Sequence, residues 1–393
     1  MHKKEQIKEI LTRGVEKIYP NKNFLEKLLN SDKKLVIYLG IDPTGPNLHL
    51  GHSIILEKMR QFQKLGHKII ILIGDFTATI GDPTNKKATR KPLTKKEVLL
   101  NSKNYKKQID NILKNYTLKY NSTWFKKMNF ESILLLASNF TVQQLLERDM
   151  FAKRIKLNKP IGLHELMYPI MQGYDSVAMK IDGEIGGNDQ TFNMLTGRKL
   201  MKSLNKKEKF VLTLKLLTDS QGRKMGKTKN NMITLNNNPK EMFGKIMSWT
   251  DDMIINGFEL CTRIPISKIN EFNKKLKNNN NPKNLKIILA KEIVSIYYSK
   301  KEADKAKKEF IKIFSNKGQP NNIKEYNIKI GKIYPVNLLT KIKFISSNSA
   351  ARRLIDGGGF KINNKKITSW KNPLNIKPGD IIQVGKRKFG KIK

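Results

Sequence analysis

The stretch that decides the fold is LVIYLGIDPTGPNLHLGH, residues 35–52. Its first seven residues are largely apolar and β-branched, a pattern that predicts a buried strand. A loop rich in Pro and Gly follows, and apolar residues then recur at helical spacing until Gly66, where we expect the helix to end. The apolar run at residues 68–73 predicts a second strand. Strand, helix and strand in this order indicate a βαβ unit, in which a ligand binds beyond the carboxyl ends of parallel strands.

The composition indicates a polyanionic partner. The chain has 393 residues, enough for two or three domains, and 77 Lys+Arg against 33 Asp+Glu give it a formal net charge of +44. Such a charge favours binding to polyanions, nucleic acid among them. Lys and Asn are frequent throughout the sequence, however. We therefore attribute part of this charge to a compositional bias that carries no function.

Several classes of protein are excluded. No apolar run approaches the ~20 residues that a membrane span needs, and the charged start lacks the apolar stretch of a signal peptide. We therefore expect a cytoplasmic protein with no membrane partner. The only cysteine, Cys261, excludes an intramolecular disulfide, a four-cysteine zinc site and an iron–sulfur cluster, and no structural metal is expected.

The remainder of the first half predicts helices around a resumed sheet. Residues 5–31 are predicted as a polar helical lead-in. Residues 97–160 are predicted to be mostly helical, with a strand at 132–137. The second half of the sheet is expected to resume at residues 179–181 and 210–217.

The pattern of apolar residues changes after residue 238. Apolar residues fall at helical spacing from Pro239 to about residue 315, which suggests a small helical domain. From about Pro335 a short basic helix is predicted to end at Gly357, and strands and turns are expected beyond it.

Two histidines stand at the predicted start of the first long helix. His49 and His52 flank Gly51 directly after the strand and loop. A helix amino terminus attracts anions through its dipole and free N–H groups, and Gly51 lets a nucleotide lie close. We interpret this corner as a phosphate site. A metal pair is the weaker interpretation because no third ligand has suitable spacing, and two structural histidines are the other alternative.

A basic loop is predicted at KMGKT, residues 224–228. Lys224 and Lys227 supply ammonium groups, Thr228 supplies a hydroxyl, and Gly222 and Gly226 supply hinges. Such a loop can close over a polyphosphate. Taken alone, the segment is equally well interpreted as an exposed basic turn.

A third group of polar residues lies on a mostly apolar segment. Tyr168, Gln172 and Asp175 are spaced four and three apart, so on a helix they share one face and offer a hydroxyl, an amide and a carboxylate to a pocket. A solvated helix face is the alternative, but in this chain such a face is expected to carry lysines, and residues 169–179 have none.

Together these segments resemble the class I aminoacyl-tRNA synthetases, and among them the tyrosyl-tRNA synthetases. HLGH at 49–52 stands where that family has its HIGH signature, and KMGKT resembles a KMSKS signature with Gly for the first Ser and Thr for the last. The spacing of Tyr168, Gln172 and Asp175 is typical of the tyrosine pocket. The tail resembles an S4-like RNA-binding domain, with Arg352-Arg353 where that domain has its basic helix.

The resemblance implies an α/β fold with three domains. These are a Rossmann-like parallel-sheet catalytic domain at residues 1–232, with a connective insertion at about 120–165, an α-helical anticodon-side domain at 233–330, and a small α+β S4-like domain at 335–393. A homodimer with the insertion at its interface is also implied.

The resemblance also implies roles for individual residues. The residues implied in catalysis are His49, His52, Lys224, Lys227 and Thr228. The residues implied in ATP binding are Gly40, Gly51, Gly187, Asp189 and Lys227, with Lys86 and Arg90 in the loop after Asp82. The residues implied in tyrosine binding are Tyr38, Asp42, Asp82, Tyr168, Gln172, Asp175 and Gln190. Within that set Asp175 accepts the phenol hydrogen bond, and Arg352 and Arg353 are implied to contact tRNA.

The implied reaction joins L-tyrosine to ATP, taken with Mg²⁺, and then transfers the tyrosyl group to the 3′-terminal adenosine of tRNA(Tyr). The attacking carboxylate is already ionised, so catalysis is expected from positioning and charge stabilisation and needs no activating base. Two alternatives remain at this stage. One is a tryptophanyl-tRNA synthetase, and the other is a non-catalytic RNA-binding protein on a synthetase scaffold.

Overall fold

A computed structural model describes residues 2–82, 93–219, 222, 232–278, 281–315, 323–328, 330–385 and 388–393. The chain divides into two compact units, Met1–Ala303 and Asp304–Lys393. The elements up to residue 82 are α1 (Lys3–Thr12), β1 (Val15–Tyr19), α2 (Lys22–Asn30), β2 (Val36–Ile41), α3 (Leu50–Lys64), β3 (Lys68–Ile73) and α4 (Thr77–Ile80). The expected βαβ unit is therefore confirmed, as β2, α3 and β3.

The sheet of the first unit is completed by later strands. The next elements are α5 (Lys95–Ser102), α6 (Tyr105–Ile109), β4 (Thr117–Tyr120), α7 (Ser122–Phe125), α8 (Phe130–Ala137), α9 (Val142–Leu146), α10 (Asp149–Lys156), α11 (Leu163–Met179), β5 (Gly183–Gly187), α12 (Thr191–Asn205) and β6 (Phe210–Leu214). The strand order is β1-β6-β5-β2-β3-β4. All neighbours are parallel except β1, which runs antiparallel to β6.

The strand order places a crevice between β2 and β5. From β2 the chain continues to β3 and β4 on one side, whereas β5 and β6 build the other side. Such a switch point leaves a gap beyond the carboxyl ends of the two central strands, where ligands bind in open α/β sheets. Every residue of β5 and β6 is buried, as expected for parallel strands covered on both faces.

Two glycines let α11 and α12 pack closely on one side of this crevice. A Cβ atom on Gly197 would lie 3.2 Å from the Cα atom of Gly173 and 2.7 Å from Nζ of Lys209. The absence of side chains at these two positions therefore brings the helices together and leaves room for the lysine ammonium group.

Helices follow the sheet, as the spacing predicts. They are α13 (Pro239–Met247), α14 (Met253–Cys261), α15 (Ile266–Lys277), α16 (Pro282–Tyr297) and α17 (Lys300–Ser315). Within the first unit α13 packs on α16, and α14 packs on both α15 and α16.

The second unit has its own core. Its further elements are β7 (Lys324–Tyr326), β8 (Gly331–Ile333), α18 (Pro335–Lys341), α19 (Asn348–Asp356), β9 (Phe360–Ile362), β10 (Lys365–Lys366), β11 (Leu374–Ile376), β12 (Ile381–Val384) and β13 (Lys388–Ile392). Leu338, Leu339, Ile355 and Phe360 are among its fully buried side chains. The predicted basic helix is α19, and its carboxyl-terminal cap is Gly357.

Three expectations about secondary structure are wrong. The predicted strand at 132–137 is the helix α8, which begins after Asn129, whose side chain accepts a hydrogen bond from Ser132 N. Its unbroken apolar run shows neither period, so the run alone does not separate strand from helix. Residues 179–181 end α11, and the strand begins at Gly183. The lead-in at 5–31 also contains β1, which pairs with β6.

Candidate active site

The His-Gly-His corner lies at the amino terminus of α3, as predicted. His49 is the residue that caps this helix, and its Nδ1 atom accepts a hydrogen bond from Gly51 N at 3.1 Å. Nδ1 of His52 accepts from His49 N at 3.2 Å, and the two ring centroids are 4.0 Å apart. A neutral imidazole that accepts at Nδ1 carries its proton on Nε2. Both histidines can therefore donate through Nε2–H to a phosphate.

A later segment pairs with this corner. Leu50 N donates to Ile233 O at 3.1 Å, and Leu235 N donates to Leu48 O at 2.9 Å. Residues 233–235 follow the KMGKT segment in the chain. Backbone hydrogen bonds therefore join residues 233–235 to the segment that contains HLGH.

Asp42 lies at the carboxyl end of β2 and faces residues from three elements. Its Oδ2 accepts from Tyr168 Oη at 2.8 Å, and its Oδ1 accepts from Thr77 Oγ1 at 2.8 Å. A Cβ atom on Gly74 would lie 2.0 Å from Asp42 Oδ1, so glycine is required for this close approach. Burial and the Asp42 carboxylate together raise the pKa of Tyr168 well above its ordinary value. The tyrosine is thus a neutral hydroxyl donor.

Asp175 is buried on the inner face of α11, with 3% of its surface exposed. Its Oδ1 accepts from Trp124 Nε1 at 2.9 Å, and its Oδ2 accepts from Asn121 Nδ2 at 3.4 Å. Burial raises the pKa of Asp175 well above its ordinary value, and the bonds from Trp124 and Asn121 act in the opposite direction. The predicted helix face is confirmed, since Tyr168, Gln172 and Asp175 all lie on α11.

A buried ion pair lies beneath this face. Lys209, which directly precedes β6, donates to Glu184 Oε2 and to Ser176 Oγ, the latter at 2.8 Å. Lys209 is fully buried, and Glu184 is 2% exposed. Tyr38 Oη lies 3.2 Å from Ser176 Oγ, and Tyr38 is also fully buried. Burial lowers the pKa of Lys209, and the carboxylate of Glu184 opposes that shift.

A chain of side-chain amides crosses the crevice above the ion pair. Gln172 Nε2 donates to Glu184 Oε1 at 3.2 Å, and Asn193 Nδ2 donates to Gln172 Oε1 at 2.8 Å. The same Asn193 Nδ2 atom donates to Gln190 Oε1 at 2.9 Å, and Gln190 Nε2 donates to Asp82 Oδ2 at 2.8 Å. The structure therefore joins Gln172, Gln190 and Asp82, three residues that the sequence analysis selected separately.

Arg148 completes this end of the crevice. Its Nη2 atom lies 3.2 Å from Asp82 Oδ1, and its guanidinium carbon lies 5.7 Å from the ring centroid of Phe192. Arg148 is 6% exposed. It directly precedes α10, in the connective region between the two halves of the sheet.

The residues expected along adenosine lie in or directly after β2, β5 and the start of α3. Gly40 lies in β2, Gly187 ends β5, and Asp189 lies in the 3₁₀ turn Asn188–Gln190 that follows. Gly51 lies in the first turn of α3. The expected catalytic residues Lys224, Lys227 and Thr228, and the expected ATP contacts Lys86 and Arg90, lie outside the described residues.

Several residues of this site are not among those predicted from the sequence. They are Thr77, Asn121, Trp124, Arg148, Ser176, Glu184, Asn193 and Lys209. Glu184 carried a usable signal, because a carboxylate inside the buried run GEIGG requires a partner. Lys209 carried none, since a lysine before a strand is unremarkable in a chain so rich in lysine.

In the second unit, the expected tRNA contacts lie on α19. The guanidinium carbon of Arg352 lies 4.5 Å from the Trp370 ring centroid, and Arg353 Nη1 donates to Ser349 Oγ at 3.0 Å. Both arginine side chains are exposed. They therefore offer two cations on the surface of this unit, and the first of them, Arg352, lies next to an aromatic ring.

Two kinds of feature are absent from the described residues. No group of three or more His, Cys, Asp or Glu side chains in this part of the chain is placed to hold a metal ion. Over the same residues, no helix combines the length and the apolar composition needed to cross a bilayer.

A mostly parallel sheet with a histidine pair at the helix between β2 and β3, and a polar crevice at the switch point, is the architecture of the class I aminoacyl-tRNA synthetases. Residues 30–315 match the family described as tRNA synthetases class I (W and Y), and residues 336–382 match the S4 domain. The chain belongs to the class I tRNA synthetases of the tryptophan and tyrosine group.

Two proteins with a similar sequence are tyrosine–tRNA ligases. The tyrosine–tRNA ligase of Carboxydothermus hydrogenoformans is 46% identical over 402 residues, which cover 98% of this chain and 97% of that protein. The tyrosine–tRNA ligase of Photobacterium profundum is 44% identical over 391 residues, covering 99% of this chain and 98% of that protein.

Solved structures support the fold. The C-terminally truncated mitochondrial tyrosyl-tRNA synthetase of Aspergillus nidulans has a TM-score of 0.68 at 21% identity and covers 79% of this chain and 94% of its own. The tyrosyl-tRNA synthetase of Archaeoglobus fulgidus, solved with L-tyrosine, has a TM-score of 0.62 at 21% identity, covering 78% and 100%. At this level of identity the likeness shows the fold alone.

Proposed function

We propose that this chain is a tyrosine–tRNA ligase. It activates L-tyrosine with ATP to tyrosyl-adenylate and pyrophosphate, and then transfers the tyrosyl group to the 3′-terminal adenosine of tRNA(Tyr). The observation that carries this proposal is Asp175, a buried carboxylate placed to accept a hydrogen bond from a phenol hydroxyl. A phenylalanine ring would leave this acceptor without its partner, a penalty that sites of this kind use for selection.

The amino acid occupies the crevice between β2 and β5. Its ammonium group is surrounded by oxygen atoms of Asp42, Asp82, Tyr168 and Gln172. Two observations support this: Tyr168 donates to Asp42, and the charges of Asp42 and Asp82 both act on Tyr168. Gln190 lies on the carboxylate side of the amino acid. Tyr38 is the second candidate contact for the phenol, and its hydroxyl group lies near Ser176.

The nucleotide lies along the carboxyl ends of the same strands. Gly40, Gly51, Gly187 and Asp189 line its adenosine, because glycine permits close approach of the ribose and base to the backbone. ATP is expected to enter with Mg²⁺, an ion that in nucleotide sites is usually bound by substrate phosphates, water and one or two carboxylates.

The chemical step requires donors and no base. The tyrosine carboxylate attacks the α-phosphate, and charge moves onto the departing pyrophosphate. His49 and His52 donate Nε2–H to the phosphates, and fixed donors aimed at developing charge are the main source of rate enhancement in such sites. Lys224, Lys227 and Thr228, with Lys86 and Arg90, are proposed as the remaining donors.

Three parts of the chain divide the work in this proposal. We assign residues 1–232 to catalysis, with a connective insertion at about 120–165, residues 233–330 to the anticodon side and residues 335–393 to RNA binding. Arg352 and Arg353 supply the contacts of the last part. The exposed apolar side chains of the insertion support a homodimer, since scattered single residues need no explanation but a concentrated set does. This set includes Phe130, Leu134, Leu135, Val142, Ile155 and Leu157.

Amino-acid-dependent exchange of pyrophosphate into ATP tests the proposal. We expect exchange with tyrosine, and charging of tRNA(Tyr) by the same preparation. Exchange with tryptophan and none with tyrosine would instead identify a tryptophan enzyme. Binding of RNA without any exchange would identify a non-catalytic protein.

His52→Ala tests the donor role of the first signature. We expect the rate of adenylate formation to fall about 100-fold or more, the usual effect of removing one fixed donor to a charged transition state. His164→Ala is the matched control, because His164 lies on α11 outside the proposed donor set. Adenylate formation at the wild-type rate in His52→Ala would refute the role of that residue.

A further inference from the structure

The chain of amides in the crevice ends in a carboxylate on each side. Glu184 accepts from Gln172 at one end, and Asp82 accepts from Gln190 at the other. In the middle, Asn193 donates in both directions, to Gln172 Oε1 and to Gln190 Oε1. Asn193 is fully buried, and among the described residues its Oδ1 atom has no hydrogen-bond partner.

Each amide in this chain has a single orientation that satisfies both neighbours. An ionised carboxylate only accepts hydrogen bonds, whereas an amide donates from its nitrogen and accepts at its oxygen. Because the carboxylates only accept, the nitrogen of Gln172 faces Glu184 and the nitrogen of Gln190 faces Asp82. The oxygens of both glutamines then face Asn193. Asn193 must then present its nitrogen to both, even though its own oxygen is left without a partner, which is normally costly for a buried acceptor.

Lys209 compensates the charge of the acceptor at the Glu184 end. A carboxylate buried to this degree is costly unless it is paired and hydrogen-bonded. Lys209 donates to Glu184 Oε2 from a niche formed where Gly197 lacks a side chain, and its Nζ atom lies 5.9 Å from the ring centroid of Tyr38. Glu184 Oε1 remains available to Gln172.

We propose that Glu184 and Lys209 are positioning residues for tyrosine, which fix the Gln172 amide with its oxygen toward the α-ammonium group of the bound amino acid. A carbonyl oxygen accepts two hydrogen bonds, so Gln172 Oε1 can hold both Asn193 and the ammonium group. The reversed amide would turn an N–H group against that cation. This inference rests on the proposed function.

Glu184→Gln is the primary test. Lys209 only donates, so the oxygen of the new amide must face Lys209 and its nitrogen must face Gln172. Gln172 then has to reverse, and its nitrogen meets the nitrogen of Asn193. If Asn193 turns instead, its oxygen meets the oxygen of Gln190. Gln190 cannot turn in response, because its nitrogen donates to Asp82. We expect the KM for tyrosine in pyrophosphate exchange to rise about ten-fold, with the KM for ATP unchanged.

Adding Lys209→Met to Glu184→Gln should reverse this effect. Without the ammonium group, the new amide can turn its oxygen to Gln172, and the original orientation of every amide returns. We expect the KM for tyrosine in the double variant to fall back to within about three-fold of wild type. A purely structural pair would be non-additive in the melting temperature but would leave the KM for tyrosine unchanged. Lys207→Met is the matched control, because Lys207 pairs with Asp182 away from the amide chain.

An exchange of the two charges provides a second test that keeps the ion pair. Glu184→Lys with Lys209→Glu preserves the attraction, but a donor now faces Gln172. This exchanged pair replaces Glu184→Gln as the test if that variant is too unstable to purify. We expect its KM for tyrosine to be higher than that of wild type. A KM for tyrosine that stays within about two-fold of wild type in Glu184→Gln, or in the exchanged pair, would overturn the inference.

These outcomes are separable from failure of the proposed function. If the wild-type protein lacks tyrosine-dependent exchange, the proposed function fails. If the wild type is active and the variants change only the melting temperature, the ion pair stabilises the fold and the inference about position fails.

Discussion

At the scale of single residues, we propose that Asp175 selects the amino acid. Its Oδ1 accepts a hydrogen bond from Trp124 and its Oδ2 accepts one from Asn121, which fix the orientation of the carboxyl group. In the proposed complex the tyrosine hydroxyl donates to this fixed group.

Asp175→Ala should therefore weaken tyrosine binding and abolish its preference over phenylalanine. Loss of one hydrogen bond that leaves the phenol hydroxyl buried without a partner costs about 1–3 kcal/mol, so we expect the KM for tyrosine to rise at least about five-fold. Pyrophosphate exchange with each amino acid measures the ratio. Asp182→Ala is the matched control, since Asp182 is a buried carboxylate that pairs with Lys33 and Lys207 outside the pocket. An unchanged ratio in Asp175→Ala would contradict the assignment.

The polar residues of the pocket could be predicted only from local patterns in the sequence. Tyr168, Gln172 and Asp175 follow from helical spacing, and Asp42 follows from its place after a strand. The partners of these residues come from distant segments. Trp124 meets Asp175 across 51 positions, and Lys209 meets Glu184 across 25. No local pattern encodes such contacts, because they depend on the packing of the whole sheet.

At the scale of elements, a lysine on α3 holds the end of α1. Lys58 Nζ donates to Ile10 O at 3.0 Å and to Arg13 O at 2.9 Å, which satisfies carbonyl groups at the end of that helix. Lys58 is 4% exposed. Burial, with a smaller contribution from Arg13, lowers the pKa of Lys58 to about 7, and Glu9 opposes the shift.

This lowered pKa should make stability depend on pH. Between about pH 7 and the ordinary lysine pKa of about 10.4, the unfolded chain holds a proton that folded Lys58 has released. The unfolded state therefore binds more protons, and the free energy of unfolding rises with pH, by at most about 1.4 kcal/mol per pH unit from this group.

Lys58→Met should remove that contribution. Urea unfolding at several values between about pH 7.5 and about pH 9.5 should show a flatter pH dependence than in wild type. Lys64→Met, a change at an exposed position of the same helix, should leave the pH dependence as it is. Parallel curves for wild type and Lys58→Met would show that Lys58 stays charged when folded.

The helix α8 shows why the apolar run at 132–137 was assigned wrongly. Leu134 is 54% exposed and Leu135 is 65% exposed, so the run does not fill the core of this unit. A run of apolar residues predicts burial, but it does not show whether the residues pack against the same chain or against a second copy. We propose that a second copy of the chain packs against α8.

Leu135→Glu should accordingly weaken the proposed homodimer. A leucine buried at an interface contributes about 1.5–3 kcal/mol, and a two-fold interface contains each position twice, so the dissociation constant should rise at least about ten-fold. Sedimentation velocity over a range of concentrations measures it. Leu99→Glu is the control, because Leu99 is 63% exposed on α5, outside the insertion. Equal dissociation constants for wild type and Leu135→Glu would exclude α8 from the interface.

At the scale of the whole molecule, the net charge of +44 is divided among several tasks. Some cations lie in the interior, where Lys209 and Arg154 each pair with a buried carboxylate. Others lie on the surface of the second unit, where Arg352 stacks on Trp370. The sequence could predict a polyanionic partner from the total, but not which cations face it, because lysines are abundant in every segment.

Arg352→Glu with Arg353→Glu should separate the two activities. We expect tRNA charging to weaken, and the salt dependence of tRNA binding to become shallower by roughly one unit of slope for each phosphate that the variant no longer neutralises. Pyrophosphate exchange in the same preparation is the internal control and should not change. A parallel loss of exchange and charging would contradict the division of labour between the units.

The buried pair of Glu184 and Lys209 also constrains how this pocket evolves. Changing the acid alone reverses the amides, and changing the lysine alone leaves a buried anion without its cation, so each single step is selected against. Neutral drift at one position is therefore blocked until the other has changed. We expect related sequences to keep the acid and the lysine together or to lack both, so that the two positions covary across the family.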